Sequence, residues 1–438
     1  MDQERFNQEL IDFLAASPTP FHAVERMAVR LSRAGFTQLH EADAWQVVAG
    51  GRYFTTRNDS SLIAWSMPAQ NGLGGLAESG FRMVGAHTDS PGLKVKPNPE
   101  VHRHEYVQLG VEVYGGVLLN PWFDRDLSIA GRVHYLNQAG DVAHGLIDFT
   151  QAVAIIPSLA IHLDREANKS RSINAQTYLP PILGQAQASD KPDFKALLQH
   201  RLAATGVSDV AHVLDYELFF YPTQGPEFVG LAHEFIASAR LDNLLSCYIG
   251  LQALLAAETD QAALPGALLV CNDHEEVGST SAAGARGPML KQLLERLLPE
   301  AEERGRTLAR SMLISADNAH GVHPNFSDRH DDNHGPLLNH GVVIKLNANQ
   351  HYASNSETSA IFRKLAADEE APLQAFVVRT DMACGSTIGP LTAAEIGVRT
   401  LDVGVPQLAM HSIRELAGTA DAYMLYRILR RFFGTLRL

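Results

Sequence analysis

Met83-Val84-Gly85-Ala86-His87-Thr88-Asp89 is a short apolar run that stops on three polar, chemistry-bearing residues. The run predicts a buried strand, and the triplet marks its end. The same design recurs downstream. Ala267–Cys271 runs into Asn272-Asp273-His274-Glu275-Glu276, and Met312–Ser315 runs towards Asp317. Helical segments alternate with these strands: Leu244–Ala257, Met289–Arg304, and a last one from about Thr419 to Phe432, just after Gly418. Further strands are predicted at Val342–Leu346, Phe376–Arg379 and Val398–Val403. Such alternation is the signature of an α/β layered domain. Near the start, Leu10–Leu14 belongs to a short amphipathic helix. Thr19 and Pro20 then suit the cap and first position of a second helix. Residues 51–66 read as a hairpin around Asn58-Asp59-Ser60.

The texture changes after the Pro-rich Lys96-Pro97-Asn98-Pro99. Val107–Val117, Gly131–Leu136 and Leu214–Tyr221 are short runs of branched and aromatic residues, with one helical portion expected near 151–165. This predicts an antiparallel, β-rich module. After Gly225-Pro226 the α/β texture returns. The expected organisation is therefore an α/β domain built from 1–95 and 236–438, with a β-rich domain inserted at 96–235.

At 438 residues the chain is too long for one ordinary core, which agrees with two domains. Hydrophobic residues make up 45% and charged residues 19%, a globular composition. Net charge is -13, from 36 basic and 49 acidic side chains, which argues against nucleic acid or an anionic membrane as partner. Cys247, Cys271 and Cys384 are too few and too scattered for a disulfide framework. The start, Met1-Asp2-Gln3-Glu4-Arg5, is polar, and no apolar run reaches the length of a membrane span. A cytoplasmic protein is the expectation.

Several of these strands end in metal-ligand side chains, and in an open α/β sheet the carboxyl ends of strands form the ligand crevice. His87, Asp317 and the pair Glu275-Glu276 follow strands. Asp242 starts a long helix after Ser238-Ala239-Arg240-Leu241, and His411 follows Leu408-Ala409-Met410. Each alone could be an ordinary turn former, helix cap or solvated charge. Together they balance charge. Two zinc ions carry four positive charges; Asp242, Glu276 and Asp317 supply three negative ones and a bridging hydroxide the fourth. The neutral His87 and His411 complete a set that suits catalytic zinc rather than a closed structural site. Glu275 is left over beside a ligand, in position to act as a base.

Five blocks carry a family resemblance: His87-Thr88-Asp89-Ser90-Pro91, Ser238–Asn243, Asp273–Ser279, Asp317–Asn325 and Met410–Glu415. In this order they closely resemble the motifs of the aspartyl aminopeptidases. The resemblance implies a zinc-peptidase α/β/α sandwich with an inserted, β-barrel-like domain. It implies two zinc ions per subunit, one held by His87 and Asp317 and the other by Glu276 and His411, with Asp242 bridging. Glu275 is then the general base of a bridging water, and Asp89 orients His87 through its other ring nitrogen. Lys345, Tyr352 and His320 match substrate-pocket positions. His162 matches a histidine contributed by a neighbouring subunit, which implies a homo-oligomer, expected to be a dodecamer. Cys384-Gly385-Ser386-Thr387-Ile388-Gly389-Pro390 matches a Gly-rich active-site loop. The implied substrates are peptides with free N-termini, with Asp or Glu preferred there. The alternatives are a related dinuclear zinc deacylase or carboxypeptidase, and a self-assembling scaffold with a vestigial metal site.

Overall fold

The computed structural model describes residues 1–69, 72–186, 193–257 and 265–437. The chain divides into two compact units. The first comprises Met1–Asp89, Pro226–Met410 and Glu415–Leu438; the second comprises Ser90–Gly225 and His411–Arg414.

The first unit is built on a sheet with nine strands among the described residues. Their order is Thr37–Gln38, Arg52–Arg57, Ser61–Ser66, Gly266–Asn272, Phe81–His87, Met312–Ala316, Arg399–Gly404, Val342–Leu346 and Leu373–Val377. Gly266–Asn272, Phe81–His87, Met312–Ala316 and Arg399–Gly404 run parallel to one another at its centre. Successive side chains of a strand face opposite sides, and here both sides are covered. Val84, Ala86, Leu269, Cys271, Ile314 and Ala316 pack into one apolar cluster with residues of the helices Leu241–Leu255 and Thr419–Phe433. Met83, Leu268, Val270 and Leu313 pack on the other face with the helix Met289–Leu297. This explains why the central strands are continuous apolar runs rather than alternating ones. The result is the expected α/β/α sandwich.

The second unit contains a closed six-strand antiparallel barrel. Its strands follow in the ring order Val210–Pro222, Gly92–Arg103, Tyr106–Tyr114, Ile182–Gln185, Ala154–Ile155 and Asp126–Asn137, the last pairing back to the first. Val142–Asp148 adds to the Asp126–Asn137 edge. Leu93, Leu109, Ile129, Val133, Leu218 and Phe220 fill the interior. Gly131 is required where strands press together, since a Cβ there would lie 2.0 Å from the Glu217 carbonyl oxygen.

Three local expectations are corrected. The helical portion near 151–165 is absent: Ala154–Ile155 is a barrel strand followed by turns. Branched Val153, Ile155 and Ile156 disfavour a helix, and Pro157 biases the residue before it towards extended backbone. Among the described residues the α-helices of this unit are instead Ala175–Tyr178 and Phe194–Ala204. The helix expected over Met289–Arg304 is two, Met289–Leu297 and Ala301–Arg310. Pro299 forces the break, and Leu298 before it is extended, with φ -131° and ψ 76°. The strand placed at Phe376–Arg379 is Leu373–Val377.

Candidate active site and metal centre

Three neighbouring parallel strands deliver the first ligand-type residues. His87 is the last residue of Phe81–His87, Asn272 ends the strand beside it, and Asp317 follows Met312–Ala316. Asn272 and His87 are in register, as are Ser315 and Gly85. The ends of all three strands therefore lie level, as in other open parallel sheets with a crevice at the carboxyl edge.

His87 is the centre of the cluster and is 1% exposed. Its Nε2 lies 3.3 Å from Asp242 Oδ1, 3.5 Å from Asp317 Oδ1 and 3.9 Å from Glu275 Oε2. Its Nδ1 lies 3.0 Å from the Asp89 carbonyl oxygen and 3.4 Å from Asp89 Oδ1. Ligand atoms of His87, Asp242 and Asp317 fall within 4.8 Å of one another, and so do those of His87, Glu275 and Glu276.

Backbone bonds set these side chains in place. Glu275 and Glu276 sit in a single 3-10 turn, Glu275–Val277. Asp89 Oδ1 accepts the Glu275 N–H and Oδ2 the Glu276 N–H, each at 3.1 Å. Asp242 is fixed from three sides. Its own N–H donates to Glu415 Oε2 at 3.0 Å. Asn243 Nδ2 donates to the Ala316 carbonyl, and Asn318 Nδ2 donates to the Leu241 carbonyl. These reciprocal amide bonds clamp the Asp242 segment to the Asp317 segment. Cys247 Sγ donates to the His87 carbonyl at 3.0 Å. The backbone is strained nearby: Arg240, His274 and Ser279 have φ near +60° (61°, 63° and 61°) without being glycine.

So many carboxylates in one buried place oppose each other's charge. Burial, with help from Asp317, Asp242 and Asp89, pushes Glu275 up to about 7. Burial and Asp242 push Glu276 well above the ordinary carboxylate range. Burial works against a protonated His87, but hydrogen bonds to Asp242, Asp317 and Asp89 outweigh it and hold its pKa well above normal. Buried carboxylates around an imidazole form a set of hard oxygen and borderline nitrogen donors that a divalent cation would neutralise.

Lys345 is 2% exposed, and its Nζ donates to Asp317 Oδ2 and to the Asn318 carbonyl, both at 3.1 Å. The same Nζ stands 5.1 Å from the centre of the Tyr352 ring. Tyr352 and His320 line a cavity of about 280 Å³, with Phe376, Cys384 and Met410 among the other walls. His411 and His162 belong to the second unit. His411 Nδ1 is 3.0 Å from the Gly116 carbonyl oxygen. His162 is exposed on a turn together with the exposed Leu159, Ile161 and Leu163.

Residues 13–433, which include every residue of this cluster, match the family described as aminopeptidase I zinc metalloprotease (M18). The chain belongs to the M18 aminopeptidase family. A probable M18 family aminopeptidase 2 from Ectopseudomonas mendocina (strain ymp) is 58% identical over 433 residues, covering 99% of each chain. Among solved structures, a chain of the Ape4 and Nbr1 complex has a TM-score of 0.94 at 37% identity, covering 99% of this chain and 86% of that one. The S. cerevisiae mApe1 dodecamer gives a TM-score of 0.83 at 29% identity, covering 98% and 96%. This M18 aminopeptidase is a zinc metallo-hydrolase acting on peptide bonds. The resemblance read from the motifs is borne out, and the His and carboxylate cluster fits the zinc that the family implies.

The ligand-type side chains of this M18 aminopeptidase stand out in its sequence; four of the residues that hold their segments do not. Asn243, Asn318, Glu415 and Cys247 act through backbone groups. Asn243, Asn318 and Glu415 fall within the family motif blocks, but what their side chains bond is visible only in the fold. The cavity walls His330 and Arg329 were also passed over.

Proposed function

We propose that this enzyme removes single residues from peptide N-termini, favouring Asp and Glu, with two zinc ions per subunit and Glu275 as general base. The observation that carries the reading is the meeting of His87, Asp242 and Asp317 in one buried cluster with the Glu275 carboxylate alongside. In this reading His87 and Asp317 hold one ion, Glu276 and His411 the other, and Asp242 bridges them. Zinc held there would supply Lewis-acid chemistry, polarising the scissile carbonyl and making an attacking water more acidic. Glu275 takes the proton as the water oxygen joins the carbonyl carbon, then returns it to the amine nitrogen as the C–N bond breaks. Asp89 fixes the turn that carries Glu275 and Glu276 and orients His87.

The free α-amine of the peptide binds near the metal cluster, which confines attack to the first bond. Lys345, beside Tyr352, supplies the fixed cation that an acidic first side chain needs once it loses its hydration, and His320 supplies a polar wall. In this reading the β-rich segment serves assembly. The dodecamer named for the mApe1 relative supports a closed homo-oligomer; in this reading His162 reaches a neighbouring subunit. The cytoplasm is the matching location: all three cysteines are thiols, and no helix among the described residues is long and apolar enough to cross a membrane.

A peptide panel tests the reading. Asp-X and Glu-X peptides should be cleaved faster than Leu-X, and their N-acetylated forms left intact. Cleavage of acetylated peptides would indicate the deacylase or carboxypeptidase alternative. Light scattering on the same preparation should give about twelve subunits if the assembly follows closed symmetry, and a fully active monomer would exclude it.

A further inference from the structure

One buried carboxylate has no part in this chemistry. Asp402, in the strand Arg399–Gly404, is fully buried. Its Oδ2 accepts the N–H of Ala353 and its Oδ1 accepts the hydroxyl of Thr387, each at 2.6 Å. The Asp402 N–H donates to Ser354 Oγ at 3.0 Å. On a third side, a Cβ at Gly389 would lie 2.3 Å from Asp402 Oδ1. The start of the helix Ile388–Ile396, capped by Thr387, is therefore pressed against the carboxylate. An anion is favoured at that end of a helix.

The two segments bonded to Asp402 have no regular structure of their own. Residues 347–355 link a strand to a helix, and so do residues 378–387. Both wall the same cavity. Tyr352 precedes Ala353, and Cys384 and Gly385 lie just before Thr387. One short, buried pair of bonds to a carboxylate thus fixes two adjoining wall segments, whose Tyr352 and Cys384 side chains pack in the same cluster. A loop held in its bound shape beforehand does not have to be ordered when ligand enters.

We propose that Asp402 is a positioning residue for the substrate pocket, holding the adjoining Tyr352 and Cys384–Gly385 walls in the shape that receives the first side chain of the peptide. The assignment rests on the proposed function, in which this cavity takes that side chain. Asp402 itself touches no substrate. Its effect is on KM, through the walls, and not on the proton transfers at Glu275.

The test uses the full-length enzyme with zinc. Thr387→Val removes the hydroxyl donor at nearly constant volume and leaves the carboxylate, while Thr387→Ser restores the donor. KM and kcat are measured on Asp-X and Leu-X peptides, with zinc content alongside. Thr387→Val should raise KM roughly tenfold, the scale of one hydrogen bond to a charged group, with kcat and zinc content unchanged. Thr387→Ser should stay near wild type. Asp402→Asn keeps the shape but loses the charge that strengthens both bonds, and should raise KM several-fold; it decides the matter if Thr387→Val does not fold. No rise in KM in either variant overturns the proposal. So does a rise matched by equal loss of kcat and zinc, which would make Asp402 a support of the metal centre. A wild-type enzyme that prefers Leu-X would remove the acidic-pocket reading alone, and the KM comparison on Leu-X would still test Asp402.

Discussion

A lysine buried to 2% exposure needs an anionic partner, and Lys345 has Asp317 at 3.1 Å. As a strand residue it reads equally well as an exposed lysine, so neither its burial nor this partner is legible in the sequence. The contact steadies a proposed zinc ligand, and the proposed function adds a second duty, meeting an acidic substrate. Replacement by Met keeps length and removes charge, and separates them. Efficiency on Asp-X peptides should fall by about 2 kcal/mol more than on Leu-X, the lower end for breaking a buried charge pair. The comparison of kcat/KM on the two peptides reads this directly. An equal fall on both would leave Lys345 only the Asp317 duty. The five residues that meet in the first unit were legible for the opposite reason. His87, Asp242, Glu275, Glu276 and Asp317 are ligand-type residues at element ends, where few other residues would do.

At the scale of elements, the site hangs on one turn and two clamps. Asp89 accepts both N–H groups of the turn that presents Glu275 and Glu276. Asp89→Asn keeps one acceptor and turns an amide donor towards the other N–H. Zinc affinity should drop about 10- to 100-fold, the usual cost of losing an outer partner of a metal ligand, and competition with a chromogenic chelator measures it. Unchanged affinity would limit Asp89 to a fold-supporting role. The central strands were legible because a short continuous apolar run between polar turns suits a strand buried on both faces. The breaks were not read at Pro157 and Pro299, where proline effects on the preceding residue outweighed an apolar pattern. The bonds through Asn243, Asn318 and Asp402 were invisible, because each joins segments more than ten residues apart through backbone atoms that sequence does not mark.

For the whole molecule, the carboxylate cluster makes stability depend on zinc and on pH together. Glu275 is raised from 4.5 to about 7, and Glu276 and His87 are raised as well. A raised group stabilises the fold fully below its unfolded pKa, and that contribution is lost as pH rises through its folded value. Glu275 therefore makes the zinc-free protein progressively less stable as pH rises from 4.5 to about 7, and Glu276 and His87 act in the same direction. Zinc binds the deprotonated groups, so it should raise Tm more at about pH 8 than at about pH 5.5. Calorimetry with and without a chelator checks this, and an equal or smaller gain at the higher pH would show that the cluster does not hold the metal. The central claim is that this cluster binds zinc and that Glu275 works as its base. The most direct test is turnover and zinc content measured together in Glu275→Gln. The account predicts a loss of at least about 10²-fold in kcat, the scale of general acid–base catalysis, with zinc content as in wild type. Near-normal turnover, or a loss of activity that follows a loss of zinc, would contradict it.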